Sequence, residues 1–418
     1  MSTQVHANLT AEQVREISDR LDEPEWLLET RLDALAALED LEMPDVIRTP
    51  GRDWTNLDAL DYETLVDPLE FAQEKDRVES EGVDVLAWEE ALAEHGDRIE
   101  EHFGSAVDPK RDYLTALSTA LFSAGTVVYV PEGVAAEDVK IRTRMNSRSL
   151  FNYTLVIAEE SASVTILERQ STGEESEVRS ASDKSSGAQP RDDGRYYSGI
   201  VETVAGENAF VQYGTLQNLS PETYNFQVKR AHAGTYGQVN WIDGNIGTRL
   251  TKSSVETRLL GDGSETKIIG AFFGHEDQHF DIASRVWHEA EQTTADLVTR
   301  GVLDDAARSV YEGVQDVGRD AWNTSSYQRE NTLMLSDDSE ADASPKLIIN
   351  NHDTEASHSA TVGQVDAEDL LYMTSRGIPE QEATDMLVEG FFVPVMEEVA
   401  VDELREDLET LIEERLQH

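Results

Sequence analysis

The stretch GHEDQHFD, residues 274 to 281, carries His275-Glu276-x-x-His279, the ligand string of zinc hydrolases. On a helix the two histidines would lie one turn apart, roughly 6 Å between Cβ atoms, close enough to share one zinc. On a strand the same four residues span about 13 Å, and the two imidazoles cannot meet on one ion. The surrounding pattern favours the strand. Phe280, Ile282, Val286 and His288 share one parity, Asp281 and Arg285 take the other, and Gly270 and Gly274 weaken any helix upstream. Three fixed letters are also a weak signal in a Glu-rich chain, so a metalloprotease using His275 and His279 stands only as a remote alternative.

Other catalytic signatures are absent. The sequence has no G-x-x-x-x-G-K-[ST] phosphate loop and no G-x-S-x-G elbow. Ser357 and His358 are chain neighbours, but on a strand they face opposite sides and make no dyad. The chain has no cysteine, which rules out disulfides, thiolate catalysis and cysteine-ligated zinc or iron–sulfur centres for this chain acting alone.

The elements that must position any site are readable from composition and period. Across 418 residues, 84 acidic against 34 basic side chains give a formal charge of −50. The acids recur in helices (Glu12, Glu16, Asp19), loops (Asp192, Asp193) and the C-terminus (Glu403, Glu406), so they coat the whole surface. Such a coat suits concentrated salt, where self-repulsion is screened. It argues against phosphate-driven nucleic-acid binding. The opening MSTQVHANLTAEQ lacks the basic and apolar regions of a signal peptide, and no apolar run nears the roughly 18 residues of a membrane span; a cytoplasmic protein is expected.

Residues 1–110 read as an N-terminal helical region. Thr10 and Gln13 have capping-box spacing, and Leu28, Leu32, Leu35 and Leu38 repeat on one helical face after Pro24, up to Met43-Pro44. Residues 83–104 form a further amphipathic helical stretch. Residues 111–363 change texture after a helix-like start: short β-rich runs such as TVVYVP, NYTLVIAE and YGQVNWIDGN follow one another with Gly, Asn, Asp and Ser between them. Val211, Val239 and Lys267 recur 28 residues apart in similar runs, a loose internal period. A sandwich, a barrel and a parallel β-helix all fit this pattern. Residues 171–195 are polar and low in complexity, as expected of a mobile surface loop. Residues 364–418 return to helix: Asp366 caps one, Gly377 ends it, Pro379 opens the next, Gly390 closes that, and Leu404, Leu408, Leu411 and Ile412 mark a last amphipathic one.

One segment, PKLIINNHDTEASHSATVGQVDAEDLLYMTSRGIPEQEATDMLVEGFF, resembles the SufB/SufD core family of the SUF iron–sulfur cluster assembly system, and its SufD branch in particular. Ser357, His358, Ala360, Thr361, Val362 and Gly363 fall on the branch's Ser-His-x-Ala-Thr-Val-Gly motif, and Ser375, Arg376, Gly377 and Ile378 on its Ser-Arg-Gly-Ile. HFDIASRVWH, GVLDDAARSVYEGVQDV and the leader EPEWLLETRLDAL are similar to further stretches of the family. Two positions depart: Ala356 stands where the branch commonly has Cys, and Ser359 where it commonly has Gly. A SufB-type subunit is expected to supply a cysteine, so the missing thiol also points to the SufD side.

The resemblance implies a mostly β core, a right-handed parallel β-helix flanked by N- and C-terminal α-helical regions. It implies pairing with SufB through the β-helices and binding of the ATPase SufC through the C-terminal helices. It also implies a non-catalytic scaffold role, with a transient Fe–S cluster shared with SufB and none bound by this chain alone. His358 becomes the candidate interface residue and metal ligand, the plain alternative being a hydrogen-bonded structural histidine. His279 and His288 fit core or turn roles better, and His352 would share the parity of His358 if no turn intervened. Residues 366 to 392 form the candidate SufC-docking surface, with Leu371, Tyr372, Arg376, Gly377, Ile378 and Phe391 as its markers. Some complexes of this kind are associated with reduced flavin, but no dinucleotide fingerprint assigns flavin to this chain. The alternatives are a purely structural β-helix, a homodimer without SufB, and a β-helix enzyme acting on acidic polysaccharide. The latter would call for a secretion signal and clustered catalytic residues that the sequence does not show.

Overall fold

A computed structural model describes residues 9–41, 77–78, 82–173, 194–399 and 401–416. Among the described residues the N-terminal helices are α1 (Ala11–Arg20), α2 (Glu25–Ala37), α3 (Trp88–His102) and α4 (Tyr113–Leu121), with short strands β1 (Arg77–Val78) and β2 (Asp84–Leu86) among them. The core then runs through β3 (Ala124–Val130), β4 (Ala135–Met145), β5 (Ser149–Ala158), β6 (Ser163–Thr172), β7 (Arg195–Ala205), β8 (Phe210–Asn218), β9 (Thr223–Ala233) and β10 (Gln238–Asn245). It continues through β11 (Leu250–Leu259), β12 (Glu265–Gly274), β13 (His279–His288), β14 (Thr294–Leu303), β15 (Arg308–Val317), β16 (Thr324–Met334), β17 (Glu340–Ile349) and β18 (Thr354–Gln364). Helices α5 (Ala367–Ser375), α6 (Glu380–Glu398) and α7 (Asp402–Leu416) close the chain.

From β3 onward each strand pairs in parallel with the strand two places along, so the even strands from β4 build one sheet and the odd strands from β3 the other, β1 and β2 respectively bringing each to nine strands. The chain thus winds as a parallel β-helix with two strands per circuit, flanked by helices at both ends of the sequence. Phe210, Gln238, Glu265, Thr294, Ser325 and Glu355 stack on one ladder, in steps of 28, 27, 29, 31 and 30 residues. The loose period in the sequence comes from this winding. Val239 does pair with Val211, but its next partner is Thr266, one residue before Lys267.

Three apolar layers explain why so many strands are buried on both faces. Inward residues of both sheets, among them Val164, Val211, Trp241, Val255, Ile268 and Leu297, fill the lumen. The outer face of the odd sheet, through Tyr153, Leu155, Ile200 and Phe226, packs against Ile17, Leu27, Trp88 and Leu117 of the N-terminal helices. The outer face of the even sheet, through Leu216, Ile242, Ile269 and Val298, is covered by Val388, Phe392, Leu404 and Leu408 of α6 and α7.

Several details differ from the sequence expectation. The capping box of Thr10 and Gln13 forms, but α2 buries the stripe Leu27, Arg31, Ala34 and Leu38, with Leu28, Leu32 and Leu35 beside it. Arg31 can lie at 0% exposure because Glu23 pairs with it at 2.6 Å, the carbonyls of Thr119 and Ala120 accept from it, and its guanidinium lies 3.7 Å over the Phe122 ring. Gly390 does not end a helix. α6 runs on through Gly390 and Pro394 because Phe392, Val395 and Met396 bury against the even sheet, and that burial outweighs the local cost of Gly and Pro. The polar run 171–195 lies largely outside the described residues, though Ser171 and Thr172 belong to β6 and Arg195 to β7.

The two ends of the winding differ. At the start, β1 and β2 pair antiparallel with β4 and β3 and cover the first edges. At the finish, among the described residues, β17 and β18 each pair on one side only. None of their residues is buried: β17 largely alternates between partly exposed and exposed, residues 357–362 of β18 are all exposed, and Ile348, Ile349 and Val362 are each 40–43% exposed.

Candidate functional site

His358 lies on β18, opposite Gln328 of β16, and is exposed. In a parallel pair, residues in register face the same side, and on β16 Ser326, Gln328, Glu330 and Thr332 are the buried, inward set. His358 therefore has inward parity, together with Ala356, Ala360 and Val362. It is exposed only because no further circuit covers it. The motif residues Ser357, Ser359, Thr361 and Gly363 have the opposite parity. His352 is not on this strand: a bend at 352–353 precedes β18, and its ring meets Trp322 edge-on at 5.2 Å. The turn that the shared-parity expectation excluded is present, so His352 and His358 belong to different surfaces.

Directly beneath His358 the lumen is polar. The Thr332 hydroxyl donates to Oε1 of Glu330 at 2.5 Å, while Oε2 of Glu330 is buried without a hydrogen-bond partner among the described residues and the Gln328 amide lies beside the Tyr311 hydroxyl. Burial pushes the Glu330 carboxyl up to about 7, against the lowering effect of the Thr332 hydroxyl. A Cβ at Gly313 would collide with the Gln328 amide, so glycine at that position of β15 makes room for it. Farther down the lumen, the buried carboxylates are paired. Glu168 accepts from Thr143 at 2.7 Å and Tyr213 at 2.8 Å, Lys229 pairs with Asp243, and Gln227 donates to Gln170 at 2.8 Å.

The His275-Glu276-x-x-His279 string is neither helix nor continuous strand. β12 ends at Gly274, the string crosses the corner, and β13 begins at His279. Glu276 has φ 53°, a left-handed conformation incompatible with a helix, and is held there by ladder bonds: its N–H donates to Asp305 at 3.0 Å and its carbonyl accepts from Ala306 at 2.9 Å. Other corners repeat the device, with Asn208 at 56° and Gln292 at 59°. His275 contacts Gln278 at 2.8 Å and Arg415 of α7 at 2.9 Å. Burial, reinforced by Arg308 and Lys252, drives the His279 imidazole down to about 3. His288 sits between Thr293 at 2.8 Å and Gln315 at 3.1 Å, and burial lowers it to about 4. These contacts make the three histidines framework residues, and the helical geometry a zinc hydrolase needs is not formed. Among the described residues no three His, Asp or Glu side chains group as a metal site.

The expected docking markers separate into two sets. Asp366 caps α5 through a 2.8 Å bond to Glu368, and no residue of α5 is buried. Leu371 and Tyr372 are 68% and 59% exposed, Arg376 lies 4.7 Å over the Tyr372 ring, Gly377 turns the chain at φ 92°, and partly exposed Ile378 follows. Phe391 instead packs on its own β-helix, with the Arg300 guanidinium 4.7 Å over its ring and donating to its carbonyl. Sequence reading missed two features. One is the buried Gln328–Glu330 pair, whose inward parity is visible only once the strand register is known. The other is a cavity of about 560 Å³ between α6 and α7, with exposed Met386 and Val393 and an acidic rim of Glu389, Glu397, Glu409 and Glu413.

This geometry defines a class: a parallel β-helix buttressed by helices on both outer faces, closed at one end and open at the other. The core domain of the SufB and SufD proteins of the SUF FeS cluster assembly system matches residues 141–391, and the N-terminal region of those proteins matches residues 53–141. The chain belongs to the SufBD family of iron–sulfur cluster assembly proteins. It is 29% identical to an iron–sulfur cluster assembly SufBD family protein of Staphylococcus haemolyticus, over 94% of this chain and 90% of that relative. Relatives of the same description in Staphylococcus epidermidis and Staphylococcus aureus are 28% identical over the same shares.

Proposed function

We propose that this chain is the SufD-type subunit of a SUF assembly complex working in the cytoplasm at high salt. It pairs with a SufB-type subunit through the open β17–β18 end. It presents His358 there to a transient iron–sulfur cluster whose thiolate ligands come from the partner. The observation that carries the reading is the open end itself: inward-parity residues of the last circuit, His358 and Val362 among them, are exposed where a further circuit would bury them. The exposed α5 face around Leu371, Tyr372 and Arg376, together with the acid-rimmed α6–α7 groove, supports docking of the ATPase SufC. In this reading ATP hydrolysis belongs to SufC, and this chain turns over no substrate and holds no resident cofactor.

Native mass spectrometry after co-expression with SufB- and SufC-type subunits, in a volatile salt exchanged from molar KCl, tests the assembly. One copy of this chain, one SufB and two SufC is the expected mass. A lone chain or homodimer that ignores both partners overturns the reading. His358→Ala then separates a functional histidine from a purely structural β-helix. The expected outcome is an intact complex that no longer supports cluster formation; unchanged cluster formation favours the purely structural alternative.

A further inference from the structure

The polar chamber beneath His358 holds a buried carboxylate oxygen, Oε2 of Glu330, that framework packing leaves without a donor among the described residues. Its floor is Glu330 and Gln328 on β16, at 1% exposure each. Its wall is Tyr311 and Gly313 on β15, the Tyr311 hydroxyl lying among Ser284, Thr299 and Gln328. Its roof is the last circuit, where the inward positions are Ala356, His358 and Ala360 on β18 and Ala343 and Pro345 on β17. Among those five roof residues only His358 carries a polar side chain; the rest are small or apolar.

A buried carboxylate oxygen without a donor costs several times the roughly 1 kcal/mol that an ordinary hydrogen bond contributes. Such groups persist in native folds when a water, an ion or a chemical role uses them. Glu330 pairs with Ala360, two residues along β18 from His358, so carboxyl and imidazole occupy a diagonal of two neighbouring strands, roughly 7–8 Å between Cα atoms. Two such side chains on one face can converge on a single ion with ligand bonds of about 2.0–2.2 Å. A carboxylate and an imidazole suit a divalent first-row transition ion, and a chain without cysteine can offer iron no thiolate.

We propose that Glu330 is a second ligand, with His358, for a divalent first-row transition ion held at the open end of the β-helix, with the Gln328 amide oxygen as a further donor. The proposal rests on the reading of the open end and of His358 given above, and adds to it a buried residue of this chain. The ion is cargo for assembly, and positions left open on it are available to a partner's ligands.

The test is titration of the full chain with Co(II), followed by calorimetry and by its d–d absorption, in 2 M KCl with excess Mg(II) to occupy hard carboxylate sites on the surface. The expected result is one Co(II) per chain. Glu330→Gln and His358→Ala should each weaken binding at least tenfold and alter the visible spectrum, Glu330→Asp should weaken it less, and the exposed control Asp338→Asn should leave it unchanged. Thermal melts check that Glu330→Gln, close in volume, is folded. If His358→Ala weakens binding and Glu330→Gln does not, the assignment of Glu330 is overturned while the role of His358 survives. If the wild-type chain binds no Co(II), or neither variant differs from it, the chamber holds water only and the ligand reading falls for both residues.

Discussion

The two ends of the β-helix solve the same problem in opposite ways. At the first circuits, strand edges are covered by antiparallel β1 and β2, and the outer face is sealed by an aromatic cluster in which Trp88 packs with Phe103, Phe122 and Tyr153 at centroid distances of 5.1–5.8 Å. There the buried Glu202 carboxylate accepts from the backbone of Gly104, Ala106 and Val107 and from the Tyr153 hydroxyl, at 2.6–3.0 Å. At the last circuit, carboxylate and amide are also buried, but Oε2 of Glu330 lacks a donor among the described residues, and the strands above them are exposed. Identical backbone winding thus yields one end whose edges are paired within the chain and one whose last strands, among the described residues, pair on one side only.

This contrast can be broken by measurement. The largest effect is expected at the closed end. Glu202→Ala strands four donors at once and should cost roughly 3–5 kcal/mol in urea unfolding. A loss below about 1 kcal/mol would mean that the seal is carried by the aromatic cluster alone. The pH dependence of the paired lumen comes next. His288 takes up its proton near 6.5 when unfolded and near 4 when folded, so its contribution to stability is complete above pH 6.5 and is lost as pH falls toward 4. His288→Gln should remove up to about 3 kcal/mol of that slope, and melting curves that stay parallel from pH 7 to 4 would contradict it.

At the open end, Ile349→Asp with Val362→Asp should change the stability of the isolated chain by no more than about 0.5 kcal/mol, while abolishing association with a SufB-type partner. A stability loss above about 2 kcal/mol would show that the end is finished within the chain after all. The smallest effect is expected from Tyr372→Ala on α5. It should leave the melting temperature of the isolated chain unchanged, and any measurable shift would mean that α5 is part of the fold rather than a presented surface.

Much of the architecture is legible in the sequence because it rests on local rules. The Thr10 capping box, the Asp366 cap and the left-handed Gly377 are chemistry within a few residues, and all three form. The winding was only half legible. Short β runs show that strands exist, but a sandwich, a barrel and a β-helix differ in which runs pair, and pairing is set by burial across 27–31 residues. Gly390 shows the same limit in a helix: a local stop signal was overridden by a sheet face formed by β12 and β14, far away in sequence. His358 stood out through its motif. Glu330 did not, because TSSYQRENTLM reads as a polar strand until its register with SATVG places Gln328 and Glu330 inside.

The corners of the winding set what this lineage is free to edit. Most corners are short, such as the four residues between β7 and β8, yet β6 and β7 are joined by the chain from 173 to 194 and still enter their sheets in register with β4, β8, β5 and β9. Lengthening a corner from four to about twenty residues adds only about 1.5 kcal/mol of closure entropy, whereas shifting one strand by a single residue turns every inward side chain outward. Insertions and deletions should therefore accumulate at corners and be purged from strands, so that relatives differ in outline while their lumens remain superimposable circuit by circuit.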